Sequence, residues 1–325
     1  MQLTLLSAAD LRAALPMPAA IAAMQAAFVA LSTGRAHVPL RVHLPVPPAE
    51  GLSLFMPAYL PGQGLGAKIV SVFPRNTAQG RPMINGLVVL LDPATGEPAA
   101  LADGTFLTAW RTAAGAGAAA DLLARPDAHV GALLGVGAQG RTHVLALDAV
   151  RRLDVIQVYA RTAAHVARFI AELQPEVSAR LVAAPSADAA VAAADIVFTA
   201  TTSPTPVFDG ACLQPGAHLS GVGSYTTAMQ EVDAVTVTRS RVFVDSRAGA
   251  LAEAGDLVIP LQAGLTDPAA WTELGEVVAG LKPGRQSPAD ITFFKSVGNA
   301  VQDVAAGAAA LSEARRLGLG QTVMF

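Results

Sequence analysis

A glycine-rich turn stands between an apolar run and a helical pattern near the middle of the chain. Residues 129–134 are mostly apolar, residues 135–140 read Gly-Val-Gly-Ala-Gln-Gly, and Val144, Leu145 and Leu147 then recur at helical spacing. Glycines at these positions permit a tight turn and a close approach of the backbone to a pyrophosphate, and the N-terminus of the following helix presents N–H groups to the anion. Strand, turn and helix together predict a dinucleotide site, which a bare glycine turn would not.

The residues after the next predicted strand indicate which dinucleotide is bound. Residues 155–159 form an apolar run that ends at Ala160-Arg161-Thr162. This is about 20 residues beyond the last glycine, where an NAD-specific fold places an acid on the ribose 2′-hydroxyl. Arg161 and Thr162 instead suit a 2′-phosphate, because a guanidinium pairs bidentately with that group and a carboxylate repels it. We expect NADP(H) as the preferred cofactor and NAD(H) as the alternative. The other interpretation is that Arg161 is only a solvated residue at a strand end and contacts no cofactor.

Three cations stand inside otherwise apolar or ordered stretches of the N-terminal part of the chain. Arg41 follows Val-Pro-Leu, Lys68 lies in the predicted strand 66–73, and Arg111 lies in the predicted helix 105–124. An enzyme that transfers hydride to an anionic substrate needs cations that fix the substrate carboxylate. A cation among apolar residues is costly unless an anion pairs with it. Each could equally be a surface residue of an edge strand or helix, and their arrangement alone does not decide.

Composition argues against several other classes of function. The 325 residues are 52% hydrophobic and 14% charged, which is typical of a globular chain with large cores and predicts two domains. A net charge of -3 gives no electrostatic reason to expect nucleic acid or an anionic membrane as partner. No cluster of Cys and His has metal-ligand spacing, and the single cysteine, Cys212, has no intrachain partner for a disulfide. We therefore expect no metal and a reducing, cytoplasmic location.

One uncharged stretch, residues 13–34, is long enough to raise the question of a membrane span or signal segment. It is rich in alanine and carries two prolines near its start. Ile21, Met24, Phe28 and Leu31 recur at helical spacing within it. We therefore expect an amphipathic helix packed on a sheet, and no membrane partner.

The surrounding patterns predict the elements that must position these residues. Between residues 41 and 101, short apolar runs bounded by Pro, Gly and Asn predict a mainly antiparallel α+β lobe. A helix over 105–124 leads into a region where strands and helices alternate, which is typical of a doubly wound parallel sheet, the α/β Rossmann architecture. The tail 299–314 has a helical pattern and is expected to pack back onto the first lobe.

The chain resembles the ornithine cyclodeaminase/mu-crystallin family over nearly its whole length. The resemblance is carried, in chain order, by Ser53-Leu54-Phe55-Met56-Pro57-Ala58-Tyr59, Gly66-Ala67-Lys68, Asp92-Pro93, Thr95-Gly96, Asp103-Gly104, Leu107-Thr108, Arg111-Thr112-Ala113-Ala114, Gly135-Val136-Gly137-Ala138-Gln139, Val244-Asp245-Ser246 and Phe294-Lys295-Ser296-Val297-Gly298-Asn299-Ala300. It implies an NAD(P)-binding Rossmann domain, residues 116–298, beside a substrate-binding and dimerisation lobe, residues 1–115, completed by the C-terminal helix 299–325. It also implies a homodimer and a small anionic imino or amino acid as ligand.

The family's functional positions carry over to this sequence residue by residue. Substrate contacts are implied at Arg41, Met56, Lys68, Arg111, Ser224, Tyr225 and Lys295. Cofactor contacts are implied at Thr112, Gly135, Gly137, Ala138, Gln139, Arg161, Thr162, Thr201, Val222, Asp245 and Ser296. Lys68 matches the lysine beside the reacting carbon and is the expected catalytic residue. Asp245 could as easily cap Ser246 and its neighbours, so that alternative stays open.

One position departs from the cyclodeaminase pattern. Cyclodeaminases carry an aspartate where Tyr225 stands, and that carboxylate moves protons on the substrate amines. A free tyrosine, with a pKa of about 10, is neutral at pH 7 and is a poor base. Reduction of a preformed cyclic ketimine needs no such base, only hydride at C2.

The resemblance therefore favours the reductase branch of the family. We expect NADPH-dependent reduction of Δ1-pyrroline-2-carboxylate and Δ1-piperideine-2-carboxylate to proline and pipecolate. The alternatives are an ornithine cyclodeaminase, an alanine or other amino-acid dehydrogenase, and, in another class, a non-catalytic NADPH-dependent binder of small ligands.

Overall fold

The computed structural model describes residues 2–324, which form two units. Within these residues, the first unit runs to Arg111 and resumes at Asn299, and the second spans Thr112–Gly298. The strands are β1 (Gln2–Leu6), β2 (Val42–Val46), β3 (Gly51–Leu60), β4 (Gly64–Val72), β5 (Ile84–Leu91), β6 (Pro98–Asp103), β7 (Val130–Leu134), β8 (Val155–Tyr159), β9 (Arg180–Ala183), β10 (Ile196–Thr199), β11 (His218–Gly221), β12 (Ser240–Val244), β13 (Thr272–Glu273), β14 (Ile291–Lys295) and β15 (Gln321–Met324). The helices are α1 (Ala8–Ala14), α2 (Met17–Ser32), α3 (Gly104–Leu123), α4 (Ala138–Val150), α5 (Ala163–Leu173), α6 (Ala187–Ala192), α7 (Ala234–Arg239), α8 (Arg247–Glu253), α9 (Gly255–Gln262), α10 (Leu274–Val278) and α11 (Ala300–Leu317).

The predicted fold class is confirmed, because a doubly wound parallel sheet accompanies a second unit that mixes helices with a mainly antiparallel sheet. The division between the units falls inside α3, between Arg111 and Thr112. The limits drawn from the sequence, 1–115 with 299–325 and 116–298, stay a prediction of where independently folding domains end.

The first unit is built on a sheet with the strand order β15-β1-β6-β5-β4-β3-β2. Its neighbouring strands are antiparallel except β1 and β6. The apolar runs that predicted strands between residues 53 and 102 fall on β3 to β6, and β5 and β6 form the expected hairpin. In this register Met56 of β3 and Val88 of β5 lie directly opposite Lys68 of β4, so the three residues share one face of the sheet.

Helix α11 lies against β3, β4 and β5, and α2 packs against α11. The start of α11 is closed by a capping box, in which Asn299 Oδ1 accepts the Val301 N–H and Gln302 Oε1 accepts the Asn299 N–H. Helix α2 buries one face, which includes Ile21, Met24 and Phe28 as predicted. Its principal partner is α11 and not the sheet itself, because α11 already covers the strands.

The second unit is a parallel sheet with the strand order β13-β12-β14-β11-β10-β7-β8-β9. From β7 the chain adds β8 and β9 on one side, and β10 then returns to the other side of β7. The strand order therefore reverses between β7 and β10. Ligands of doubly wound sheets bind at the carboxyl ends of the strands at such a reversal, which here means the residues after Leu134 and Thr199.

Candidate functional site

The turn after β7 depends on two close approaches of the backbone. Gly135 has a φ of +111°, and a Cβ atom there would lie 2.5 Å from the carbonyl oxygen of Ala200. A Cβ atom at Gly140 would lie 2.2 Å from the carbonyl oxygen of Gly135, so glycine is needed for α4 to start this close to the strand. Helix α4 begins at Ala138 with Gly137 as its N-cap and has no side-chain cap. Its first N–H groups are therefore suited to an anion such as a pyrophosphate.

A cavity of about 620 Å³ lies at the carboxyl ends of β7, β8 and β10. Its wall includes the glycine turn, Arg161 just after β8, and residues 200–207 after β10. The cavity coincides with the reversal of strand order, where doubly wound sheets bind nucleotides. It brings together four residues that the sequence predicted as cofactor contacts, namely Gly135, Gly137, Arg161 and Thr201. The glycine turn, the free helix start and the cavity together fit a nicotinamide dinucleotide.

Other predicted cofactor residues lie around this turn and sheet in different settings. Ala138 and Gln139 form the first turn of α4, and Thr162 is the exposed N-cap of α5. Thr112 is buried in α3, and Val222 directly follows β11. Contacts of these residues with a cofactor stay predictions.

Asp245, directly after β12, is enclosed by its own hydrogen bonds. Its carboxylate accepts hydrogen bonds from the N–H of Ser246 (2.8 Å), the hydroxyl of Ser296 (2.7 Å) and the N–H groups of Val297 (3.1 Å) and Gly298 (2.9 Å). Burial raises the pKa of Asp245, and these hydrogen bonds oppose that effect. The side chain therefore fixes the turn after β14 and orients Ser296, while direct contacts of Asp245 and Ser296 with a cofactor stay predictions.

In the first unit, one buried carboxylate joins two of the predicted substrate residues. Asp303 of α11 places Oδ2 2.9 Å from Lys68 Nζ and Oδ1 2.8 Å from Arg111 Nε. Arg111 also donates through Nη1 to Gln302 Oε1 at 2.9 Å. Met56, directly opposite Lys68 in the sheet, is buried as well. Two cations share one carboxylate, so the cluster is net positive and suits an anionic ligand.

The ionisation of Lys68 is set by burial and by its charged neighbours. Burial lowers the pKa of Lys68, and the charges of Arg111 and Arg41 lower it further, whereas Asp303 raises it; the net result is a pKa of about 8 instead of 10.5. Burial raises the pKa of Asp303, but Arg111 and Lys68 outweigh burial and hold that pKa below its usual value. The result is an ionised acid beside a lysine that can release a proton close to neutral pH. Arg41, just before β2, is half-buried. Because its charge lowers the pKa of Lys68, it belongs to the same electrostatic environment.

Sequence reasoning missed Gln302 and Asp303. Both are fully buried near the start of α11, between Ala300-Val301 and Val304-Ala305. The available signal was a polar pair inside an otherwise apolar helical run, since buried polar groups need partners. Nothing local identified Lys68 and Arg111 as those partners.

The other predicted substrate residues lie in the second unit. Ser224 is buried, and its hydroxyl donates to the carbonyl oxygen of Met229 at 2.8 Å, whereas Tyr225 is 49% exposed. Lys295 ends β14, and its Nζ lies 2.8 Å from Asp256 Oδ2, with both side chains fully buried. The observed partner of Lys295 is thus an acid of the protein, and its contact with substrate stays a prediction without support from this arrangement.

Within residues 2–324, no group of three or more His, Cys, Asp and Glu side chains is arranged to hold a metal ion. In the same part of the chain, no single helix is long and apolar enough to cross a membrane. One bent pair, Ala8–Ala14 with Met17–Ser32, meets that criterion by length and composition only.

Comparison with known proteins identifies the family. A sequence profile of the ornithine cyclodeaminase/mu-crystallin family matches residues 1–315. The chain belongs to the ornithine cyclodeaminase/mu-crystallin family. The resemblance found in its motifs is therefore confirmed.

Three of the proteins to which the chain is similar match it over 98–100% of its length. A Delta(1)-pyrroline-2-carboxylate reductase of Bacillus cereus is 36% identical over 323 residues, which are 98% of this chain and 99% of the relative. The structure of Thermococcus litoralis Delta(1)-pyrroline-2-carboxylate reductase in complex with NADH and L-proline is 38% identical, with a TM-score of 0.93 over 98% of this chain and 100% of that one. An archaeal alanine dehydrogenase dimer with bound NAD is 29% identical, with a TM-score of 0.91 over 100% of both chains.

Proposed function

We propose that this protein reduces cyclic ketimines and forms proline from Δ1-pyrroline-2-carboxylate with a reduced nicotinamide cofactor. Two relatives that match nearly the whole chain are named as that reductase, and one of them was solved with NADH and L-proline. They support an assignment of this protein as an oxidoreductase that acts on cyclic imines. The observation that carries the proposal is the buried cluster of Lys68, Arg111 and Asp303. It offers positive charge for a carboxylate and an ammonium group for an imine nitrogen.

In the proposed reaction, the bound reduced nicotinamide supplies the hydride that forms the new C–H bond at C2 of the ring. Arg111 and Arg41 hold the substrate carboxylate by charge-assisted hydrogen bonds, which fixes the orientation of C2. Lys68 donates a hydrogen bond to the imine nitrogen and protonates it where the substrate arrives as the neutral imine. The electron pair of the C=N bond then becomes the lone pair of the product amine.

The position of Lys68 suits it to this proton transfer. A pKa of about 8 leaves the amine mostly protonated at pH 7 yet more acidic than an ordinary lysine. Asp303 forms an ion pair with the ammonium at 2.9 Å and so holds Nζ in place. Arg111 is tied to the other oxygen of the same carboxylate, so the two groups that meet the substrate are positioned relative to each other.

The proposal includes a preference for NADPH over NADH, which rests on Arg161. This side chain is exposed and lies at the wall of the nucleotide cavity, two residues after the end of β8. A guanidinium there suits a 2′-phosphate. The Thermococcus litoralis reductase was solved with NADH, so the comparison of kcat/KM for the two nucleotides tests this part of the proposal directly.

Δ1-Piperideine-2-carboxylate is proposed as a second substrate, because Arg41, Arg111 and Lys68 address the carboxylate and the imine nitrogen that both rings share. Tyr225 supports reduction over cyclodeamination, since a phenol, which is a poor base, stands where the family resemblance implies an aspartate in cyclodeaminases.

We also propose a homodimer that covers the edge strand β2. Val42 and Leu44 of this strand are 57% and 52% exposed, and Leu40 just before it is 92% exposed. Apolar side chains along an open edge strand favour association with another chain. The archaeal alanine dehydrogenase of similar structure is a dimer.

The proposed function is tested by following NADPH oxidation with each candidate substrate. The five- and six-membered cyclic ketimines are compared with pyruvate plus ammonia, and ornithine is scored for ammonia release. Turnover of a ketimine well above the other arms supports the proposal. Ammonia release from ornithine would point to the cyclodeaminase. Faster turnover of pyruvate with ammonia would point to the dehydrogenase, and binding of NADPH with no turnover would point to the non-catalytic binder.

A further inference from the structure

Glu231 is a fully buried acid in the second unit that lies at the junction of two strand ends. Its Oε1 accepts the Thr201 N–H at 2.6 Å, after β10. Its Oε2 accepts the Gly223 N–H at 2.5 Å, after β11, and the Thr199 hydroxyl at 3.1 Å. One carboxylate therefore cross-links the loops that follow two neighbouring parallel strands.

The backbone of Glu231 anchors the same cavity wall a second time. Its carbonyl oxygen accepts the Val207 N–H at 2.9 Å. Residues 201–207 line the nucleotide cavity, so Glu231 holds the first and the last residue of that wall. A wall fixed at both ends keeps its shape before a ligand arrives, which lowers the free energy needed to order it on binding.

Two further buried charges keep Glu231 in place. Asp256 Oδ1 accepts the N–H groups of Glu231 (2.6 Å) and Val232 (3.1 Å), and Asp256 Oδ2 lies 2.8 Å from Lys295 Nζ. Burial raises the pKa of Glu231, and the charge of Lys295 opposes that effect. The lysine thereby favours the ionised acid, which is the form able to accept three hydrogen bonds. This also gives Lys295, at the end of β14, a physical reason to be buried.

We infer that Glu231 is a positioning residue for the cofactor: by anchoring residues 201–207 at both ends and tying them to the loop after β11, it holds the nucleotide cavity in its binding shape. The inference rests on the proposed cofactor site. Glu231 belongs neither to the glycine turn after β7 nor to the cluster of Lys68, Arg111 and Asp303. It acts through the hydrogen bonds that hold the cavity wall.

The test uses Glu231→Gln in the full chain. The amide places a donor where one carboxylate oxygen accepted, so either the Thr201 or the Gly223 N–H loses its partner. The cofactor must then order the wall as it binds, which should weaken its binding by about fivefold or more. We expect the NADPH dissociation constant, measured by the fluorescence of the bound nucleotide, to rise by that factor. The KM for the ketimine at saturating NADPH should change less than about twofold. Hydrogen exchange should accelerate in the peptide spanning 200–208.

Asp148→Asn is the matched control. Asp148 is another carboxylate of the second unit that anchors a loop, through the Ser178 N–H (2.9 Å), the Ser178 hydroxyl (2.8 Å) and the Ala179 N–H (2.9 Å), and it does not line the cavity. This variant should accelerate exchange around residues 176–182 and leave NADPH affinity unchanged.

Thr199→Val provides a milder variant should the amide prevent folding. It removes one donor to Glu231 in a side chain of nearly the same shape, and a smaller rise of the NADPH dissociation constant is expected. Unchanged affinity in every folded Glu231 or Thr199 variant, or an equal loss in the Asp148 control, overturns the inference. A wild-type chain that binds neither NADPH nor NADH would instead overturn the proposed function on which it rests.

Discussion

The ammonium of Lys68 and the carboxylate of Asp303 form a buried ion pair, with Nζ 2.9 Å from Oδ2. The other oxygen of Asp303 lies 2.8 Å from Nε of Arg111. One acid thus fixes both the group proposed to donate a proton and a group proposed to hold the carboxylate. Because an enzyme gains rate from correct orientation, Asp303 is expected to matter as much for geometry as for charge.

The pH dependence of the reaction should follow the ionisation of Lys68. Protonated Lys68 is the active form, so kcat/KM for the ketimine should fall as the pH rises through its pKa of about 8. Asp303 raises this pKa, whereas burial, Arg111 and Arg41 lower it. Asp303→Asn should therefore move the fall in kcat/KM to lower pH as well as lower its maximum. The measurement is a profile of kcat/KM between pH 6 and pH 10.

Glu313→Gln is the control for this profile, because it removes an exposed carboxylate from the same helix. Its profile should overlay that of the wild type. The same substrate is used throughout, so its own titration is common to all curves. If Asp303→Asn lowered the rate without moving the alkaline limb, Asp303 would act on geometry alone.

Arg41→Ala should weaken the hold on the substrate carboxylate. A hydrogen bond to a charged group contributes about 1.5–3 kcal/mol, so kcat/KM for the ketimine should fall about 10- to 150-fold. Affinity for NADPH should stay unchanged, because the nucleotide cavity is lined by residues of the second unit. Arg75→Ala, which removes an exposed arginine paired with Glu50, is the matched control. Equal losses of NADPH affinity and turnover in Arg41→Ala would assign that residue a structural role.

The sequence was sufficient to predict the parts of the site that local patterns define. The turn at Gly135 follows from glycine spacing, and the strand that holds Lys68 follows from an apolar run bounded by glycine. Turn chemistry and periodicity act over a few residues, so one sequence carries them.

The partners that complete the site come from distant segments and could not be predicted in that way. Asp303 meets Arg111 across 192 positions of sequence, and Glu231 meets Thr201 across 30. Such pairs are fixed by the packing of α11 on the sheet and by the order of the parallel strands, neither of which a local pattern contains. Lys295 illustrates the difference, because its place at a strand end was predictable while its partner was not.

Arg161→Ala should change the preference between nucleotides. Loss of a guanidinium that pairs with the 2′-phosphate should raise the apparent KM for NADPH about 10- to 150-fold and leave that for NADH nearly unchanged. The measurement is the ratio of kcat/KM for NADPH to that for NADH in both proteins. A wild-type enzyme that used NADH as well as or better than NADPH would contradict the assignment of Arg161.

Lys295→Met should destabilise the second unit. The variant leaves Asp256 as a fully buried carboxylate without its ion-pair partner, and breaking a buried pair in this way costs about 3–5 kcal/mol. Thermal unfolding should shift down by several degrees, whereas Arg316→Met, in an exposed pair with Glu313, should shift it little. Adding Asp256→Asn to Lys295→Met removes the isolated charge and should restore part of the loss. A stable Lys295→Met variant with a raised KM for the ketimine would instead support the predicted contact between Lys295 and the substrate.

Tyr225 separates reduction from cyclodeamination. It lies after β11 with 49% of its surface exposed, at the position where the family resemblance implies an aspartate in cyclodeaminases. Deamination and ring closure of ornithine need a group that takes up and returns protons, and a positioned base contributes about 10²- to 10⁴-fold. The wild type should therefore reduce Δ1-pyrroline-2-carboxylate while releasing ammonia from ornithine only at background rate. Tyr225→Phe should cost little in ketimine reduction, because hydride transfer depends on positioning by Arg41, Arg111 and Lys68. A drop of more than about a hundredfold in the rate of ketimine reduction by Tyr225→Phe would make the phenol a proton donor. Rapid formation of proline and ammonia from ornithine by the wild type would restore the cyclodeaminase assignment.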